Sequence, residues 1–117
     1  MQVVGSIDLT SSVPVDETVL FTAPVDGLYQ LLAFLISMTP FPSPITGTAQ
    51  VVFKHENRIG KQKATMTVLV DQPHASTSPQ SYVIEMKAGT NFTYQTFVTA
   101  TGGTPTYAVR AALIQVN

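Results

Sequence analysis

The chain contains no cysteine. That removes a disulfide framework and any thiolate metal site, and leaves the redox compartment unread. Histidine occurs twice, as His55 and His74, whereas a metal-dependent β-sandwich enzyme draws a histidine cluster and a carboxylate from neighbouring strands. Cysteine is absent as a nucleophile, and no serine sits in a glycine-flanked elbow. The carboxylates (Asp8, Asp16, Glu17, Asp26, Glu56, Asp71, Glu85) are scattered, so no paired acid and base can be picked out. The expectation is a protein that is not an enzyme and holds no metal or cofactor.

Charge is also scarce, at 11% of residues against about 25% in an average soluble domain. The net charge is −1. A nucleic-acid binder needs a basic surface, which this composition does not supply. Weak like-charge repulsion suits close packing of copies. A membrane-spanning helix needs about 20 apolar residues, but the longest apolar run is ended by Pro40, Pro42 and Pro44. No membrane insertion is expected. Residues 1–10 lack the basic and apolar regions of a signal peptide. The chain is therefore expected either not to use that export route or to be a mature or excised piece, with a virion or a cell surface as its location.

What the chain has in abundance is threonine, valine, serine, glycine and proline, which favour strands and turns. Its 117 residues make one domain, 1–117, long enough to bury a core. The organising stretch is Phe21–Met38, whose apolar run from Leu28 is entered through Pro24-Val25-Asp26-Gly27, where a glycine able to take φ > 0 and an aspartate able to bond its own backbone mark a turn. Successive side chains on a strand point to opposite faces. One face then carries Leu28, Gln30, Leu32, Phe34, Ile36 and Met38, and the other Tyr29, Leu31, Ala33, Leu35 and Ser37. Both are largely apolar, unlike a strand with one wet face. One sandwich core covers one face, so a second subunit is the simplest cover for the other. A helix is the competing local reading, with Leu28, Leu31, Leu32 and Leu35 as its stripe.

Strands are expected at 3–9, 17–21, 28–38, 47–55, 63–70, 81–86, 91–100 and 106–116, with turn residues between them and 56–60 as a hairpin connection. The natural class is all-β, an antiparallel two-sheet sandwich or jelly roll.

Gly27-Leu28-Tyr29 resembles a strand of the tumour-necrosis-factor family, and the longer segments that follow resemble the C1q domain. FTAPVDGLYQL at 21–31 is similar to the C1q signature, with a phenylalanine-threonine strand, a proline-glycine turn, a tyrosine and a bulky apolar residue. VVFKHENRIGKQ at 51–62 resembles its hairpin, SYVIEMKAGTNFTYQ at 81–95 a strand-turn-strand unit, and YAVRAALIQV at 107–116 its closing strand. The chain departs at Thr90, where an aspartate is usual, and at Ala108-Val109-Arg110, where a phenylalanine-serine-glycine triplet is common. The resemblance implies a ten-strand C1q/TNF-like jelly roll that forms a homotrimer on the outer face of its inner sheet. It turns Tyr29 and Leu31 inward, which leaves Gln30, Leu32 and Phe34 for the trimer interface. Phe92, Tyr94 and Tyr107 join them there, because buried aromatics dominate interface energetics.

The expected function is a structural or adhesive module displayed on a larger assembly, such as a virion decoration, a fibre head or a bacterial surface module. The alternative is a carbohydrate-binding sandwich using the loops 40–46 and 71–80, with Phe41, His74 and Tyr82 as ligand contacts. Lys54, Arg58, Lys61 and Lys63 place four of the six basic residues within ten positions. They read first as a solvated hairpin whose lysines discourage edge-to-edge pairing, with a polyanion contact as the alternative. Asn91-Phe92-Thr93 also matches a glycosylation sequon.

Overall fold

The computed structural model describes residues 2–39, 44–71, 77 and 79–116. They form eight strands: β1 (Gln2–Ser11), β2 (Thr18–Thr22), β3 (Gly27–Ser37), β4 (Thr46–Asn57), β5 (Gly60–Leu69), β6 (Gln80–Met86), β7 (Asn91–Thr101) and β8 (Tyr107–Gln115). No helix occurs among the described residues, so the leucine stripe of 28–38 belongs to a strand. The strands make two antiparallel four-stranded sheets, ordered β1-β8-β3-β6 and β2-β7-β4-β5. The fold is an all-β, jelly-roll-like sandwich. The resemblance implied ten strands; eight are present among the described residues, and β1 runs as a single strand whose register shifts once, between Val3 and Gly5.

Local chemistry accounts for the turns. Between β4 and β5 only Arg58 and Ile59 turn the chain, a shorter connection than the expected 56–60. Asn57 Oδ1 accepts from the Ile59 and Gly60 amides at 2.9 and 3.1 Å, and Gly60 takes φ 144°, a conformation that favours glycine. Before β3 the expectation is partly corrected. Gly27 is not among the glycines with positive φ, and it pairs with Met86. Asp26 Oδ1 accepts from the Ala88 amide at 2.7 Å. The aspartate thus ties the β2–β3 turn to the β6–β7 turn.

The core lies between the sheets. Sheet β1-β8-β3-β6 supplies Tyr29, Leu31, Leu35, Val109 and Leu113; sheet β2-β7-β4-β5 supplies Val51, Phe53, Met66 and Phe92. Phe53 stacks on Phe92 at 5.9 Å and Phe21 meets the edge of Tyr29 at 5.4 Å. Each such side chain stabilises the fold by roughly 1.5–3 kcal/mol through removal from water. Parity then fixes what remains outside. With Tyr29, Leu31, Ala33 and Leu35 buried, their alternates on β3 face away from the core.

Candidate functional site

The outward face of β1-β8-β3-β6 is unusually apolar. On β3 it carries Leu28, Gln30, Leu32, Phe34 and Ile36. Register brings Ala112 of β8 and Ser81 of β6 beside Leu32, and Ile114 and Val83 beside Gln30. Val3 of β1 pairs with Ile114 at the far margin. Val83 is 71% exposed, Leu32 39% and Leu28 38%. Contiguous exposed apolar surface of this kind marks contact sites on soluble proteins. The small Ala112 leaves a trough of about 510 Å³ beside Leu32 and Phe34.

Three charged residues stand on this face: Asp8 and Arg110 in the row of Phe34, and Glu85 beside Leu28. Arg110 Nε lies 2.9 Å from Asp8 Oδ1. Its other nitrogens donate to Leu9 O at 2.9 Å and Thr10 Oγ1 at 3.3 Å. Nη1 also donates to Val109 O at 3.2 Å, so the guanidinium is tied to β1 and to its own strand, and with Asp8 it borders the trough beside Leu32 and Phe34.

The expected interface residues divide. Gln30, Leu32 and Phe34 lie on this face, with Gln30 Nε2 donating to Ser81 Oγ at 2.8 Å. Phe92 (1% exposed) and Tyr107 (0%) are interior residues of their own sandwich, which corrects their placement at a seam. Tyr94 is partly buried against that same core. Parity shows which residues share a face, but not which face turns inward. Val3, Val83, Ala112 and Ile114 were missed; the pairing of β1, β6 and β8 with β3 identifies them, and that pairing joins strands far apart in sequence.

The opposite outward face, on β2-β7-β4-β5, is richer in polar residues, although Val19, Leu69 and Phe97 are exposed on it as well. One row crosses the four strands, from Val19 to Thr93 to Lys54 to Lys63. Lys54 Nζ donates to Glu17 Oε1 at 3.2 Å, and Thr93 Oγ1 donates to Glu17 Oε2 at 3.1 Å. These bonds, first that from Lys54, hold the Glu17 carboxyl below the usual carboxylate range. Lys61 sits opposite Glu56 in the ladder. Together with Asn91 these residues line an open depression of about 650 Å³. Arg58 does not join them. The tight turn sends it to Glu85 of β6, 3.3 Å away, beside a different hollow. The expected four-residue basic cluster is thus a cluster of lysines.

Of the expected ligand-loop residues, Phe41 and His74 lie outside the described residues. Tyr82 is half-buried and lines a cleft of about 390 Å³ at the β5 and β6 edges, with Leu31, Phe53, Phe92 and His55. Burial pushes the His55 imidazole below its ordinary value. Among the described residues no group of three or more histidines, cysteines or carboxylates could hold a metal ion. No helix there is long and apolar enough to cross a membrane.

No family model and no curated protein matches the chain. Among solved structures it is similar to a chain in the structure of infectious bursal disease virus, Gx strain. The identity is 9% and the TM-score 0.31, with 95% of this chain covered and 29% of that one. The protein thus spans less than a third of the chain it resembles.

Proposed function

We propose that the protein is a non-enzymatic, C1q/TNF-like structural module that assembles as a homotrimer through the outward face of β1-β8-β3-β6. In this reading it is displayed on a larger assembly, as a virion decoration, a fibre head or a bacterial surface module. The carrying observation is that Leu28, Leu32 and Val83 stand exposed on one side of a sheet whose other side is already the core. Water contact with that face is unfavourable by roughly 25 cal/mol per Å², and copies of the same chain remove it symmetrically. Two further features support the reading. Arg110 is paired with Asp8 and Glu85 with Arg58, so these charges on the face are not left unpaired. The opposite face carries the lysines, Glu17 and Glu56 beside its exposed Val19, Leu69 and Phe97, a mixed surface that suits display. The test is the mass in solution by light scattering. Three times the chain mass of 12.6 kDa supports the assembly, and a stable, monodisperse monomer rejects it.

A further inference from the structure

We propose that the depression on the outward face of β4, β5 and β7 binds an acidic saccharide, with Lys61 and Lys63 taking its anionic substituent. The ladder sets Lys63 directly opposite Lys54, and like charges in that position destabilise a sheet. Glu17 relieves Lys54. Lys61 and Lys63 make no ion pair among the described residues, and both are exposed. Protection of the β5 edge from pairing needs only scattered charge. Here three ammonium groups instead border one concavity.

The rest of the lining selects the ligand class. Glu17 and Glu56 stand among the lysines, with Thr93, Asn91 and Gln62 beside them. A nucleic-acid backbone repeats negative charge and favours uniformly basic surface; two carboxylates oppose it. A sugar brings hydroxyl donors for the carboxylates and an acidic group for the ammoniums, so both signs of charge find a use. The site lies within a single chain, and it sits on the sheet face opposite the apolar one. It therefore does not depend on the trimer.

The experiment is calorimetric titration of the full chain at low salt with a heparin-derived tetrasaccharide, sialyllactose, neutral lactose and a short single-stranded DNA. Binding of at least one acidic sugar, with none of lactose and weaker binding of DNA, is the expected pattern. Lys61→Gln with Lys63→Gln lowers that affinity by about tenfold or more. Arg58→Gln removes the same kind of charge from the same hairpin and leaves the affinity unchanged. Circular dichroism confirms the fold of each variant. The proposal is overturned if neither acidic sugar binds, if DNA binds as tightly, if the double lysine variant binds unchanged, or if Arg58→Gln weakens binding as much as that double variant does.

Discussion

The hydroxyl oxygens of Thr96 and Tyr107 lie 2.6 Å apart inside the sandwich. Thr96 Oγ1 accepts from the Val15 amide at 2.7 Å, and Tyr107 Oη donates to Val13 O at 2.6 Å. With Thr96 donating to Tyr107, a relay runs from Val15 through both hydroxyls to Val13, and each polar atom in it is used. It pins the β1–β2 connection to β7 and β8, one strand from each sheet. Tyr107→Phe leaves the Thr96 hydroxyl without its acceptor and Val13 O with Ser11 Oγ alone, and is expected to lower stability by about 1–3 kcal/mol. Thr96→Val should behave alike, and the double variant should cost less than the two single costs together, because the relay is shared. Urea unfolding of the four proteins measures this.

Leu32→Asp places a carboxylate at the centre of the apolar face. Because Leu32 is well exposed in the single chain, the protomer should lose only about 1 kcal/mol. An assembly that buries this position would face an unpaired charge and should dissociate. Light scattering then reads monomer for the variant and trimer for the parent, with near-equal thermal midpoints for the separated protomers. An unchanged mass would move the contact elsewhere.

His55 gives the fold a pH dependence of known sign. Its folded-state pKa lies below the reference 6.5 because burial disfavours the imidazolium. The unfolded chain therefore binds the proton first, and stability rises with pH through that range. The contribution is intact above 6.5 and is lost as pH falls from there toward the lower, folded value. His55→Gln should flatten the loss of urea midpoint between about pH 7.5 and about pH 5. An identical slope in both proteins would refute the assignment.

Gly47 tolerates no side chain. Its φ is +130°, and a Cβ there would overlap the Thr99 carbonyl oxygen on the adjacent strand. Its own carbonyl accepts from the Val70 amide at 3.0 Å. Gly47→Ala should destabilise by about 1–3 kcal/mol or more, since strain adds to the clash. Gly60→Ala is the comparison: its φ is also positive, but nothing lies within 4 Å of the added atom, so its loss should be smaller. Thermal unfolding of the pair separates the clash from the strain.

The two-sided character of β3 was legible because it needs only a period of two along eleven residues. The eight strands were legible for a similar reason: proline, glycine and asparagine interrupt alternation locally. The hairpin lysines were visible as a cluster, yet the departure of Arg58 toward Glu85 depends on the direction of a two-residue turn. Phe92 and Tyr107 show the same limit. Their bulk marked them as buried, but core and interface make the same demand on an aromatic ring.

By itself, then, the sequence determined the class of fold, the faces of its longest apolar strand and the poverty of charge, since each follows from local pattern or composition. Only the tertiary structure decided which face of each strand became core. It also set Ser81, Leu32 and Ala112 in one row, Val83, Gln30 and Ile114 in another, and Lys63 opposite Lys54. Those neighbours come from pairing between strands, and the register that creates them is settled by packing of the whole sandwich.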